Sequence, residues 1–148
     1  MTTAENTGAQ EPVPATQEAP HYIIDPSRAR ELNRSLPMIL LSRRCPSCKA
    51  RLQDRLEAPP EEEQMREIAE CCANQEGFIR PEMPMQEILF RALLSEGNKP
   101  VSLERLHYLV TERWHTPANP RSISLNGLKR VLDSDIYYGF REVSRIPA

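Results

Sequence analysis

All four cysteines of the chain fall in one window: Cys45 and Cys48 in the run Arg44-Cys45-Pro46-Ser47-Cys48-Lys49, then Cys71 and Cys72 side by side. A CxxC turn puts two thiols on one small loop, where their thiolates can share a metal ion. A second cysteine pair further along can close a tetrahedral sulfur site. The chemistry expected is a structural zinc centre on Cys45, Cys48, Cys71 and Cys72. Four protein ligands leave no open position for water, so such a site holds structure and activates no nucleophile. The same residues admit three other readings: three cysteines with a histidine (His21, His107 or His115), an iron–sulfur cluster, or free thiols without metal. A thioredoxin-type redox pair lacks a surrounding βαβ pattern. Adjacent cysteines reach one ion only where the backbone bends at a helix end, and Asn74 to Gly77 offers such an end. Arg43, Arg44, Lys49 and Arg51 flank the first pair and would favour thiolates, or form a patch facing nucleic acid.

No other constellation suggests catalysis. The glycines are scattered and form no phosphate-cradling loop, and no Gly-x-Ser-x-Gly or His-Glu-x-x-His is present. Glu61-Glu62-Glu63 reads as a solvated helix start rather than a catalytic carboxylate pair. The expectation is a protein that is not an enzyme and takes no small-molecule substrate.

The 148 residues suit one ordinary domain or two very small ones, and 14 prolines with few aromatics make the packed part smaller than the chain. A net charge of −2 supplies no strong overall field toward nucleic acid. The distribution of charge says more. Between Arg28 and Arg55 the charges are basic except Glu31 and Asp54; between Glu57 and Glu76 they are Glu except Arg66. Two such blocks can pair inside the fold or present two faces to partners. No apolar run is long enough to span a bilayer, and no basic start or apolar h-region marks a signal peptide. The expected compartment is the cytoplasm, where cysteines read as metal ligands or free thiols rather than disulfides.

Residues 1–20 lack apolar periodicity and are expected to be a disordered tail. Tyr22-Ile23-Ile24 is the first apolar cluster, a short strand or an anchor. Asp25-Pro26 reads as N-cap and first turn of a helix reaching about Ser35, and a second short helix begins near Pro37. Glu61-Glu62-Glu63 opens a helix on which Met65, Ile68, Ala69 and Cys72 share a stripe; Gly77 closes it and Phe78-Ile79 fold back. Met85, Ile88, Leu89, Ala92 and Leu93 make the face of another helix, ending at Ser95-Glu96-Gly97-Asn98. Lys99-Pro100-Val101 is extended. Ser102 caps a helix with Leu103, Leu106, Leu109, Val110 and Trp114 inside. Ser122 or Ser124 caps one with Leu125, Leu128, Val131 and Leu132 inside. Tyr137–Val143 reads as a strand.

The stretch from Ile88 through Gly97-Asn98-Lys99-Pro100-Val101-Ser102 to Tyr138-Gly139-Phe140 resembles the HARE-type winged helix-turn-helix, the family that includes the N-terminal domain of the bacterial RNA polymerase delta subunit. The likeness covers residues 84–143. It rests on the glycine-x-lysine-proline-valine turn, a helix-breaking polar loop and a leucine-rich third helix. The resemblance implies a domain found in transcription and chromatin-associated proteins, some of which bind DNA and others only proteins. A full wing needs two strands after the third helix, and this sequence offers one, so the wing is truncated. Off the apolar stripe of the third helix, Lys129 and Arg130, with Arg121 on the loop and Arg141 and Arg145 on the tail, could meet phosphates. Asn126 could reach a base edge.

The fold class expected is therefore mainly α: a tail (1–20), a zinc-stapled small helical module (21–80) and a winged-helix-like domain with a truncated wing (81–148). The function expected is a DNA-associated transcriptional regulator or accessory factor, partnered by DNA or a transcription-machinery protein. The alternative is a protein–protein interaction adaptor using the same fold without DNA contact.

Overall fold

Tyr22-Ile23-Ile24 does form a strand, β1 (His21–Ile24), and it becomes the middle of the only sheet among the described residues. The computed structural model describes residues 19–52 and 55–143. Most of the expected tail, residues 1–18, and Arg145 lie outside these. The remaining elements are α1 (Pro26–Glu31), α2 (Leu36–Leu41), α3 (Pro46–Ala50), α4 (Glu61–Glu70), α5 (Met85–Ser95), β2 (Val101–Ser102), α6 (Leu103–Tyr108), α7 (Leu125–Asp133) and β3 (Phe140–Val143). The chain is mainly α, with a three-stranded antiparallel sheet in the order β2-β1-β3. His21 faces Ser102 on one side, and Ile24 faces Phe140 on the other.

Local chemistry explains the boundaries. Asp25 accepts the Ser27 N–H and Pro26 supplies the fixed φ of a first turn, so α1 starts as expected. It stops at Glu31 rather than near Ser35, because Asn33 takes the left-handed conformation (φ 61°) and its N–H closes onto Arg30. Ser35, Ser102 and Ser124 each cap the helix that follows. Beyond Tyr108 the helix widens into one π turn, Leu109–Arg113, closed by the Trp114 N–H on the Leu109 carbonyl at 2.9 Å. The last strand is shorter than expected. The Asp135 carboxylate gathers the N–H groups of Tyr137, Tyr138, Gly139 and Phe140, which holds the backbone in a turn until Phe140. Gly139 is required there: its φ is +88°, and a Cβ would sit 3.2 Å from the Asp25 carbonyl and 3.3 Å from the Ala29 Cβ.

The expected boundary between residues 80 and 81 does not divide the core. Tyr22, Ile24, Leu36, Leu40, Cys48, Ile68 and Cys72 pack in one continuous cluster with Ile88, Phe90, Leu93, Leu106, Leu128 and Phe140. The reason is β1. By pairing with both β2 and β3, it ties the front of the chain between two strands of the back. The single strand after α7 is thus joined in a three-stranded sheet by a strand from the other end of the sequence. Leu125, expected inside, is 36% exposed, and Val131 is only half-buried.

A second tie is ionic. The Glu87 carboxylate on α5 accepts from Arg43 Nε (3.0 Å) and Nη2 (2.7 Å), from Arg91 Nε (2.7 Å) and from the Tyr138 hydroxyl (2.8 Å). Arg43 follows α2 and Tyr138 precedes β3, so one buried carboxylate joins three segments. Burial alone would raise the Glu87 pKa; the hydrogen bonds from Arg43, Arg91 and Tyr138 outweigh it and hold the carboxyl down at about 2. With the folded pKa below the ordinary value of 4.5, this contribution is complete above that value and lost as pH falls toward 2. Urea unfolding across this range is expected to show stability declining between about pH 4.5 and 2 in the wild type. Glu87→Gln should flatten that decline and cost on the order of 3 kcal/mol at neutral pH, because two guanidiniums lose their buried counter-charge. An unchanged acid limb in the variant would remove Glu87 as the hub.

Candidate metal centre

Each cysteine is placed by a local backbone device. Cys45 precedes a proline and is extended (φ −72°, ψ 162°), as the steric rule for that position demands. It is the N-cap of α3, with Pro46 in the first turn, and the one-turn helix brings Cys48 round to the same side. At the other end, Cys71 caps α4 with φ −124° and ψ −68°, a break that lets Cys72 start a short 3₁₀ turn, Cys72–Asn74. The bend that adjacent ligands need therefore falls at Cys71 itself, a turn earlier than the expected end at Asn74 to Gly77. Gly77 (φ +90°) serves the following turn, which returns Phe78 to the core.

The four Sγ atoms lie within 4.8 Å of one another, and Cys45 Sγ is 3.7 Å from Cys71 Sγ. A tetrahedral thiolate site with metal–sulfur bonds of about 2.3 Å has edges of about 3.8 Å, so this set could hold a metal ion with little adjustment. Both Cys71 and Cys72 belong to the cluster. None of the candidate histidines does. His21 Nδ1 lies 3.0 Å from the Ala19 carbonyl, His107 Nε2 lies 2.7 Å from the Ile123 carbonyl, and His115 Nδ1 accepts the Arg121 N–H.

Donors surround the sulfurs. The Cys45 N–H donates to Cys72 Sγ (3.1 Å), Arg51 Nη2 donates to Cys48 Sγ (2.8 Å), and the Ser47 hydroxyl lies 3.4 Å from Cys45 Sγ. The thiols titrate unequally as a result. The Ser47 hydroxyl, helped against burial by the Cys48 N–H, brings Cys45 down to about 6. Burial pushes Cys48 and Cys72 up, and the neighbouring sulfurs of Cys48 and Cys45 push Cys71 up. One thiolate forms readily and its charge opposes the rest; a bound cation would relieve that opposition.

Of the four flanking cations, only Arg51 reaches a sulfur among the described residues. Arg43 goes to Glu87. Arg44, 4% exposed, donates to Glu67 (2.5 Å) and Gln64 (3.5 Å), while Gln64 donates to the Pro37 and Pro59 carbonyls. Arg44 thus fastens α4 to the cysteine loop from behind. The Gln64 clamp and the Glu87 hub escape notice in the sequence. Gln64 carries no pattern signal, whereas Glu87 and Arg91 stand at i, i+4, the spacing of a helical ion pair.

The candidate DNA contacts fare differently. Arg121 Nη2 turns inward to the carbonyls of Pro81 (2.6 Å) and Met83. Lys129 Nζ is held by Glu142 (2.7 Å) and Asp133 (2.9 Å), and Arg141 by Asp25 and Glu31. Asn126 and Arg130 are exposed, with no side-chain hydrogen bond among the described residues. No helix among the described residues is long and apolar enough to cross a membrane. Comparison of the chain with protein-family models, with curated proteins and with solved structures finds no match in any of the three.

Removing the Arg51 guanidinium that donates to Cys48 Sγ tests its part in this centre. Arg51→Ala is expected to leave the fold intact and weaken metal binding about tenfold, read by competition against a chromogenic chelator. Unchanged affinity would reduce the guanidinium–sulfur contact to surface decoration.

Proposed function

We propose that the chain is a zinc-stapled, winged-helix-like interaction module, an adaptor of the cytoplasm that docks on a larger protein assembly such as the transcription machinery. Zinc is the ion proposed because four thiolates at tetrahedral spacing suit it and close the coordination sphere, which makes the role structural. The order of α5, β2, α6, α7 and β3 supports the winged-helix reading.

The observation that favours an adaptor over a DNA reader is the internal use of cations. Lys129, Arg141 and Arg121 spend their donors on Glu142, Asp133, Asp25, Glu31 and backbone carbonyls. Affinity for duplex DNA grows with the number of phosphates neutralised, and paired cations neutralise few. The module does offer apolar surface. Met38 (55% exposed) and Leu56 (102%) line a groove of about 520 Å³ with Leu41, Leu52 and Pro59, rimmed by Lys49, by Glu57 and by Arg55, which pairs with Glu63. An aliphatic anchor with a carboxylate placed toward Lys49 complements it.

Direct DNA contact is the second reading, favoured by Asn126 and Arg130 standing exposed together on α7.

Three experiments test these ideas. Native mass spectrometry is expected to show one zinc ion per chain, lost with thermal stability on chelation; iron, or no metal in reduced undamaged protein, would defeat the zinc assignment. Anisotropy titration with duplex DNA is expected to show weak binding unaffected by Arg130→Ala. Selection from a random peptide library should enrich sequences pairing an aliphatic residue with Asp or Glu, captured by the wild type and not by Met38→Asp. Tight DNA binding that falls steeply with salt and is lost in Arg130→Ala would instead make this a DNA reader.

A further inference from the structure

The two partly exposed cysteines of the cluster come one from each cysteine pair. Cys45 and Cys71 are partly exposed, whereas Cys48 and Cys72 are buried. The exposed two are also the pair whose Sγ atoms stand 3.7 Å apart, across 26 residues of chain. A disulfide needs about 2.05 Å, so these sulfurs must approach by about 1.7 Å. Neither residue lies inside a helix: Cys45 precedes α3 and Cys71 follows α4. The links within each pair are poorer. Consecutive Cα atoms sit 3.80 Å apart across a trans peptide, outside the usual disulfide range of about 4.4–6.8 Å, which disfavours Cys71–Cys72. A Cys45–Cys48 link would draw on a buried sulfur that Arg51 already holds.

We propose that Cys45 and Cys71 form an oxidation site for hydroperoxides, at which a covalent bond replaces the metal as the link between the cysteine loop and α4. The inference builds on the zinc reading above. With hydrogen peroxide, the Cys45 thiolate takes one HO group, the O–O bond breaks to release hydroxide, and Cys45 becomes a sulfenic acid. The Cys71 thiolate attacks that sulfur, the S–S bond forms and a second hydroxide leaves. The two sulfurs together lose two electrons, the peroxide gains them, and solvent protons turn both hydroxides to water. Only the thiolates of Cys48 and Cys72 then remain for the ion, which dissociates. Because the new bond joins the same two segments, their connection survives the loss of zinc; a bond within either pair would sever it.

The test uses the full zinc-loaded chain and hydrogen peroxide added in sub-stoichiometric steps. Zinc release is followed with a chromogenic chelator, and links are located by fragment-ion mapping after the free thiols are blocked. The expected result is release in step with peroxide consumed, a Cys45–Cys71 disulfide as the main product, and helix content retained above that of chelated, reduced protein. Zinc release with a bond inside either pair, over-oxidation of one cysteine without a disulfide, or retention of zinc would overturn the proposal. A starting protein without zinc defeats the zinc reading alone. The Cys45–Cys71 bond then still upholds the oxidation site, and its absence still rejects it.

Discussion

Four sulfur atoms gathered within 4.8 Å pose an electrostatic problem that the rest of the front half is arranged around. Two unit charges about 4 Å apart repel by roughly 4 kcal/mol at an effective dielectric near 20, so four adjacent thiolates are untenable without protons or a cation. The environment stops short of solving this. Ser47 and the Cys48 N–H favour one thiolate, on Cys45; burial and the neighbouring sulfurs disfavour the others. The elements meeting at the cluster are too short to stand alone. The one-turn α3 and the single 3₁₀ turn after Cys71 lie far below the length at which helices persist in water. Their order follows from what joins them: the Arg44 clamp on Glu67 and Gln64 behind and, on the zinc reading proposed above, an ion across the sulfurs.

The other half of the problem is how this small assembly stays attached. Two ties do it. The strand His21–Ile24 pairs on both edges, which spreads the front of the chain across the sheet of the back. The Glu87 carboxylate gathers Arg43, Arg91 and Tyr138 in a buried site where losing any one partner leaves a charge or a polar group uncompensated. Neither tie is apolar, yet each positions an apolar surface: β1 brings Tyr22 and Ile24 into the core, and Arg43 lies over the Phe90 and Tyr138 rings. One continuous core results.

The features legible in the sequence were those encoded within a few residues. The caps at Asp25, Ser102 and Ser124, the helix stop near Gly97 and Asn98, the apolar faces of α5 and α6, and the CxxC turn all depend on neighbours along the chain. The joining of Cys45 and Cys48 to both Cys71 and Cys72 was legible too, because thiols in two close clusters have few other uses. What escaped depends on long-range pairing. Nothing in His21–Ile24 announces which strands it will meet, and its pairing carries one core cluster across residue 80. The exposure of Leu125 and the early end of α4 at Cys71 depart from what helical periodicity alone gives. Arg121, Lys129 and Arg141 look available in sequence, since their acceptors (Asp25, Glu31, Glu142, and the Pro81 and Met83 carbonyls) come from other segments; Asp133, at i+4 from Lys129, is the local exception.

That internal pairing extends to the charge blocks. The basic run from Arg28 to Arg55 meets the acidic run from Glu57 to Glu76 through Arg30–Glu61, Arg44–Glu67 and Arg55–Glu63. Exposed members of such pairs contribute little each; Arg44–Glu67, with its guanidinium fully enclosed, is the one whose rupture would be felt. The consequence is for the surface. Three such pairs, in a chain whose net charge is only −2, weaken long-range steering toward a polyanion. What distinguishes its exterior is then local: the Met38–Leu56 groove, exposed Tyr108 and Ile136, and a sulfur edge at Cys45 and Cys71. On the adaptor role proposed above, recognition by such a surface would rely on shape and apolar contact, with Lys49 at the groove's rim supplying orientation more than affinity.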